Sequence, residues 1–456
     1  MYIEMTNLLS ALTLSLDYVE NEIVKTARNH GKRVAILTNL MAKEAGYSQE
    51  VLYAITQSSV LHDCALAEYL NDELSGENSS FDEANMYSHC VAGEKMMAKL
   101  PFYYLVRGTV LFHHERADGK GALGLTDDMV PLYAQLVHLA DMVDVAFSLD
   151  SMNREKFEAI HAWLDEERGK AVSAKSADLF KSAIDYETLM SITGENCRKV
   201  VKAMIPELSN DVSIEVLREI SSIFAKITDY KSNFTWRHSM GIAEKAESMG
   251  QYYHYDKENC DKLFIAGALH DIGKLLISND ILEKPGKLSN TEYKEIQNHA
   301  MGTWNLLSSV KGLEEITSWA SLHHEKLDGS GYPFGYKAEQ LGKNERLLAC
   351  LDIYQALVEE RPYKAGLSHG EAMAILYKMG NAGQLDMDIL NDINTNFMPQ
   401  DEPAVPVSVP ETTTEYQGET WQCPVCGYVY QGSLPDDFIC PKCEQPGSIF
   451  ERVHGS

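Results

Sequence analysis

The chain holds no hydrophobic run near about 18 residues, the length a helix needs to cross a bilayer. Its opening stretch, MYIEMTNLLS, places an acidic residue early and has no charged segment ahead of an apolar core, so no secretory leader is read there. The expectation is a cytoplasmic protein without a membrane partner. Positive charge is also scarce, with 40 Lys and Arg against 67 Asp and Glu and a formal net charge of −27. Nucleic-acid surfaces are basic and gain affinity by displacing counterions from phosphates, so polymeric nucleic acid is excluded as a general partner. A small anion remains admissible where local basic side chains line a pocket. Strand-like alternation and hairpin signals are sparse before residue 399, and helical periodicity takes their place. Ile214, Leu217, Ile220, Phe224 and Ile227 form one such apolar stripe behind an N-cap at Ser213.

What the chain does have is histidine in a doubled rhythm. One ladder runs His30, His62-Asp63, His89, His113-His114 and Asp141; a second runs His238, His270-Asp271, His299, His323-His324 and Asp352. The first interval (His30 to His62, His238 to His270) is the same in both copies, and so is the third (His89 to His113, His299 to His323). Ten of the 15 histidines stand on these rungs, which identifies two homologous domains. Neutral imidazole and carboxylate together suit iron, manganese or zinc. Seven donors exceed the needs of one ion, and a carboxylate bridging two ions about 3.5–4 Å apart would use them all and leave room for a water. The adjacent His-Asp and His-His pairs predict helix ends, because neighbours on a straight helix diverge.

The length of 456 residues divides into two domains of about 200 residues and a small tail. Boundaries are placed at 1–208, 209–398, a flexible linker at 399–418 rich in Pro, Thr and acid, and 419–456. The junction between the repeats falls around Ile205-Pro206 to Asp211, where helix is interrupted. Of nine cysteines, Cys423, Cys426, Cys440 and Cys443 form two CxxC knuckles that can close a tetrahedral metal site. Cys64, Cys90, Cys197, Cys260 and Cys350 read as buried thiols, although Cys64 and Cys90 each follow a ladder residue.

HHEKLDGSGYP from His323 to Pro333, HDIGK from His270 to Lys274, and the stretch from Asp352 through RPYK at Arg361 to Lys364 closely resemble the HD-GYP family, bacterial cyclic-dinucleotide phosphodiesterases of the all-helical HD superfamily. The resemblance spans roughly residues 213–395. It implies a mainly α fold of tandem HD domains. It also implies that His238, His270, Asp271 and Asp352 hold one metal, and that Asp271 bridges to a second held by His299, His323 and His324. Asp271 and Lys274 are then the catalytic pair, with Lys274 a point charge for the scissile phosphate. Tyr332 shapes a loop beside the site, and Arg361 and Lys364 contact base and phosphate. Cyclic di-GMP is the family default substrate and cyclic GMP-AMP the alternative. Some members carry a Glu one helical turn before the first histidine and bind a third ion; Phe234 stands there, so two metals are expected, iron favoured over manganese or zinc.

The first repeat keeps every rung and loses the accessories: Leu66 stands where Lys274 does, HHERADGKG replaces the GYP loop, RPYK has no counterpart, and Thr26 offers no third-metal carboxylate. Its expected role is a metal-bearing sensor, regulator or dimerisation domain, with a second active site as the alternative. The tail, with Trp421, Tyr428, Tyr430, Phe438 and Phe450 around its cysteines, resembles the rubredoxin-like domain of rubrerythrins, which implies one iron, a zinc ribbon being the alternative. That resemblance brings in an electron donor as partner and a tail that sets the oxidation state of an HD site. Competing readings are a di-iron oxygenase or redox sensor and a non-catalytic cyclic-dinucleotide receptor; a homodimer is the candidate assembly.

Overall fold

The computed structural model describes residues 2–4, 8, 13, 16, 17, 20, 21, 26–66, 83–100, 102–204, 209–211, 213–231, 237–282, 284, 286–360, 365–399, 420–422, 429–431, 451 and 452. Met1–Gln400 forms one compact unit and Asp401–Ser456 a second. The first unit is mainly helical. Its first half contains α1 (His30–Glu44), α2 (Gln49–Val60), α3 (Glu83–Met97), α4 (Leu132–Phe147), α5 (Arg154–Glu167), α6 (Ala174–Ala183), α7 (Tyr186–Ser191) and α8 (Asn196–Met204). Its second half contains α9 (Ile214–Lys231), α10 (His238–Tyr252), α11 (Lys257–Leu269), α12 (Asn279–Leu282), α13 (Asn290–Leu307), α14 (Glu314–Ser321), α15 (Lys343–Val358), α16 (His369–Asn381) and α17 (Met387–Phe397).

Local chemistry starts these helices where they start. Asn153, Ser173, Asp185, Asp256 and Asp386 each accept a backbone N–H of the first turn they precede. Ser289 with Glu292 and Ser368 with Glu371 complete capping boxes on α13 and α16. Ser213 Oγ accepts from Val216 N at the start of α9, and Leu217, Ile220, Phe224 and Ile227 of its stripe are buried.

The helix that opens each ladder is the central one. α1 packs on α2, α4, α6 and α8, and α10 packs on α9, α11 and α15. Burial on more than one face explains why Val34, Ala35, Ile36 and Leu37 are all fully enclosed. The core is continuous across both halves.

At the junction, where the sequence reading interrupts helix, the structure adds a feature that reading did not name. The junction carries a strand, β2 (Ser209–Asp211), which pairs antiparallel with β1 (Tyr2–Glu4), Tyr2 opposite Asp211. Three residues are too few for a period-two pattern to register, and the partner lies at the far end of the half. In the second unit, β3 (Thr420–Gln422) pairs antiparallel with β4 (Val429–Gln431) and with β5 (Glu451–Arg452), in the order β4-β3-β5. Its four cysteines lie outside the described residues, as does the linker proposed at 399–418 except for its first position.

Leu263, fully enclosed on α11, tests the central packing. Leu263→Ala is expected to cost about 2–5 kcal/mol, read as a lower urea midpoint at unchanged slope; a midpoint within error of wild type would refute this account of the core.

Candidate metal centres

Helix ends deliver the paired donors. His270 is the C-cap of α11, and Asp271 precedes a short 3-10 turn, Ile272–Leu276. His323 and His324 follow α14 after its C-cap, Leu322. In the first half His62 and Asp63 follow α2 and its C-cap, Leu61. At a helix end the backbone turns away from the 100° step, so two neighbouring side chains can face one point.

In the second half His238 Nε2 lies 3.1 Å from Asp352 Oδ1, and His270 Nε2 lies 3.1 Å from Asp271 Oδ2 and 4.0 Å from Asp352 Oδ1. On the other side Asp271 Oδ1 lies 3.4 Å from His299 Nε2 and 3.9 Å from His323 Nε2. His299 Nε2 and His323 Nε2 are 3.4 Å apart, and His324 Nδ1 is 3.5 Å from Asp352 Oδ2. The first half repeats the arrangement. His30 Nε2 is 3.2 Å from Asp141 Oδ1, His62 Nε2 is 3.4 Å from Asp63 Oδ2, and Asp63 Oδ1 is 3.5 Å from His89 Nε2 and 3.4 Å from His113 Nε2. The His114 ring lies tilted against that of His113, 4.0 Å between centroids. All fourteen ladder residues therefore gather in two clusters of seven.

The donor chemistry fits cations. His270 Nδ1 donates to the Gly267 carbonyl at 2.7 Å, His299 Nδ1 to Ile296 at 2.6 Å and His323 Nδ1 to Ala320 at 2.6 Å, each three residues upstream. His62 and His113 donate in the same way to Ser59 and Val110. That bond fixes the tautomer and aims each Nε2 lone pair inward. His62 Nε2, Asp63 Oδ1, His270 Nε2 and Asp271 Oδ1 are buried and make no hydrogen bond. These four atoms, two in each half, converge with no donor between them, which fits the coordination shell of a divalent ion.

Electrostatics agree. Burial raises the Asp271 carboxyl, but His270, Lys274 and His299 outweigh it and hold it well below the ordinary range. Burial likewise raises Asp352, and the bond from His238 with His324 and His323 nearby overrides it downward. Burial keeps His299 neutral, down to about 3, and lowers His323 and His324. Burial would also lower His238, yet its bonds to Asp352 and Glu359 raise it to about 9. A cation between His238 and Asp352 would take that proton's place.

Several positioning residues escaped the sequence reading. Glu359 Oε2 accepts from His238 Nδ1 at 3.0 Å, and Asp144 Oδ2 accepts from His30 Nδ1 at 2.7 Å. Different residues thus orient the matched first histidines. Arg33 completes the first arrangement by gripping Asp144 at 2.6 and 2.8 Å. A Cβ on Gly273 would lie 2.0 Å from the His299 carbonyl oxygen, so glycine lets the 3-10 turn press against α13. Thr303 Oγ1 fastens that contact by donating to His270 O at 2.8 Å and accepting from Gly273 N at 3.1 Å. A glycine in HDIGK was visible; its backbone contact with a distant helix was not.

The loops after the His-His pairs share one scaffold. Glu325 accepts backbone N–H groups of Phe334, Gly335 and Tyr336, and Glu115 accepts those of Leu123 and Leu125. A Cβ on Gly331 would fall 2.5 Å from Glu325 Cα, and one on Gly121 would fall 2.7 Å from Glu115 Cα. HHERADGKG is therefore the same turn with a different wall. Tyr332 lies over His324 at 4.7 Å between ring centroids; Ala122 succeeds Gly121 in the first half, and a cavity of about 460 Å³ opens there among His30, Asp63, Leu66, His114, Lys120 and Ala122. Thr26 is buried at the same cavity. Lys274 Nζ is paired with Asp271 Oδ2, and although burial lowers it, that partner raises its pKa overall. Phe234, Arg361 and Lys364 lie outside the described residues.

Comparison with known proteins places these clusters in context. Residues 28–146 and residues 222–389 each match the HD domain family, and residues 421–451 match the rubredoxin-like domain of rubrerythrin. A 3'3'-cGAMP-specific phosphodiesterase 1 of Vibrio cholerae is 28% identical over 400 residues, covering 85% of this chain and 90% of the relative. A cyclic di-GMP phosphodiesterase of Pseudomonas aeruginosa is 31% identical over 169 residues, 37% of this chain and 41% of the relative. The crystal structure of a cyclic GMP-AMP specific phosphodiesterase of Vibrio cholerae superposes with a TM-score of 0.61 at 20% identity, covering 88% of this chain and all of that one. At that identity the likeness speaks for the fold.

Removing the carboxylate behind His238 should loosen the metal without touching a ligand. Glu359→Ala is expected to lower metal affinity by about 10- to 100-fold, measured by competition with a chelator; unchanged affinity would show that Glu359 does not orient His238.

Proposed function

We propose, from the premise that this chain carries two HD domains and a rubredoxin-like domain, that its second HD domain is a metal-dependent phosphodiesterase opening a cyclic dinucleotide. The observation that carries this reading is Asp271, with one oxygen toward His270 and the other toward His299 and His323, and Lys274 fastened beside it. Two divalent cations held by His238, His270, Asp352 and Asp271 on one side and by His299, His323, His324 and Asp271 on the other would supply an acidified water and neutralise the phosphodiester.

The chain's own groups do the rest. Lys274, kept charged by Asp271, presents a positive charge where a non-bridging phosphate oxygen would lie. Tyr332 covers His324 and limits water on the loop side. Arg361 and Lys364 are proposed to contact base and phosphate. A water oxygen adds to phosphorus, the bond to one ribose oxygen breaks, and the product is a linear dinucleotide, open to a second cleavage into mononucleotides. A negatively charged protein can hold such a ligand because the positive charge is local.

Cyclic di-GMP is the symmetrical candidate. The mixed cyclic GMP-AMP is favoured by the relative that matches across both HD domains, since its name specifies that dinucleotide. Iron is the favoured metal, with manganese or zinc as alternatives, and iron is likewise favoured in the Cys423, Cys426, Cys440 and Cys443 site. The tail is proposed to set the oxidation state of an HD centre, with an external electron donor as its partner. The first HD domain, with Leu66 for Lys274 and Ala122 for Tyr332, is proposed to regulate or sense. Among the described residues no helix is long and apolar enough to cross a membrane.

Anaerobically purified, metal-analysed protein should convert at least one of the two cyclic dinucleotides to linear product. Absence of product from both, with metal present, would defeat the proposal. Lys274→Ala should lower kcat by about 10²- to 10³-fold while metal content stays unchanged; a loss of metal instead would assign Lys274 to the structure of the site. Equal rates for the reduced and oxidised protein, with iron in both kinds of site, would remove the redox role of the tail.

A further inference from the structure

The two HD centres differ in one donor. Cys90 follows His89 on α3, whereas Ala300 follows His299 on α13. Cys90 is buried, with Sγ 3.6 Å from His89 Nε2 and 3.7 Å from the His113 ring at Nδ1. His113 Nδ1 donates to the Val110 carbonyl at 2.6 Å, so Nε2 is its inward atom, 3.5 Å from His89 Nε2. One ligand atom from each of His89, Cys90, His113 and His114 lies within 4.8 Å of the others. Metal–sulfur bonds of about 2.3 Å and metal–nitrogen bonds of about 2.0–2.1 Å place neighbouring donors about 3.3–3.6 Å apart in a tetrahedron. The two edges that meet at His89 Nε2, 3.6 Å to sulfur and 3.5 Å to nitrogen, have that length.

We propose that Cys90 Sγ is a ligand of the ion held by His89, His113 and His114, so that the first HD domain contains a histidine-thiolate centre. This rests on the first ladder holding metal. The consequence for chemistry is direct. With three imidazoles and one oxygen of Asp271, an ion in the second HD domain would keep a fifth position for water; in the first HD domain a thiolate beside the three imidazoles and Asp63 would occupy the corresponding position. The first centre then keeps all seven ladder donors without a nucleophile, which agrees with Leu66 replacing Lys274. Sulfur also shifts the preference toward zinc or ferrous iron and away from manganese. A bound thiolate makes that centre open to oxidation in a way the second is not.

The test uses the full chain carrying Cys423→Ser, Cys426→Ser, Cys440→Ser and Cys443→Ser, which removes the competing thiolate signal of the tail. Loaded with cobalt(II) under anaerobic conditions, this protein should show a sulfur-to-cobalt charge-transfer band and a sulfur neighbour in X-ray absorption. Cys90→Ala, which installs the residue found at position 300, should lose both and bind that ion at least about tenfold more weakly. Cys90→Ser serves as a second variant should the alanine protein fail to fold, and it should lose the sulfur signals equally. A spectrum and affinity unchanged by either substitution overturn the thiolate ligation. His89→Ala, expected to lose one cobalt per chain, separates the premise from the inference: if it loses none, the first ladder does not hold metal and the proposal falls with it.

Discussion

Burying a carboxylate among imidazoles that cannot all be protonated is the constraint on which the rest of this structure depends. Asp271, Asp352 and, in the other half, Asp141 are buried, and Asp63 has a buried Oδ1, with ring nitrogens facing each. Each buried ion costs several kcal/mol unless opposite charge lies close. Imidazolium at one position can offset part of that cost, as His238 does against Asp352. Burial forbids the same at His299, His323 and His324. A pair of divalent cations would resolve the conflict in a single step, and the arrangement of the helices leaves the donors placed for it.

The arrangement relies on what happens at helix ends. A histidine just beyond a helix can donate Nδ1–H to the carbonyl three residues back, satisfying an orphan acceptor of the last turn while turning Nε2 inward. His62, His270 and His323 all do so. The same bond therefore caps a helix and orients a ligand. His30 and His238 begin helices, have no such carbonyl, and lean on carboxylates from elsewhere, Asp144 in one half and Glu359 in the other.

Two copies of one skeleton have thus acquired different walls. Lys274 and Tyr332 make the second centre charged and covered; Leu66 and Ala122 leave the first beside an open cavity. Packing behind the centres has diverged as well. Arg33 fills the space between α1 and α4, whereas Gly241 lets α10 and α15 approach until a Cβ there would meet Gln355 Nε2 at 2.5 Å. The donors occupy matching positions in both halves despite these changes, the paired ones at helix ends and His89, His299, Asp141 and Asp352 within helices.

The ladder was legible in sequence because each rung is a chemically distinctive residue at a repeated interval, and a repeat of that length can only be a repeated domain. The helical class and the knuckles of the tail were legible for the same reason: they depend on residue type and spacing alone. Glu359, Asp144, Glu325 and Glu115 were not, since nothing distinguishes a carboxylate that orients a histidine or pins a loop from the many that face solvent. Gly273 and Cys90 sat beside motif residues in plain view, yet their importance comes from contacts with α13 and with His113, far away along the chain. The pairing of Tyr2–Glu4 with Ser209–Asp211 was invisible because three residues carry no periodicity. Sequence by itself determined which groups are able to coordinate, for that capacity is a property of the side chain; tertiary structure decided how those groups are aimed and what stands over them, for orientation and enclosure are properties of neighbours that the chain brings together only when it folds.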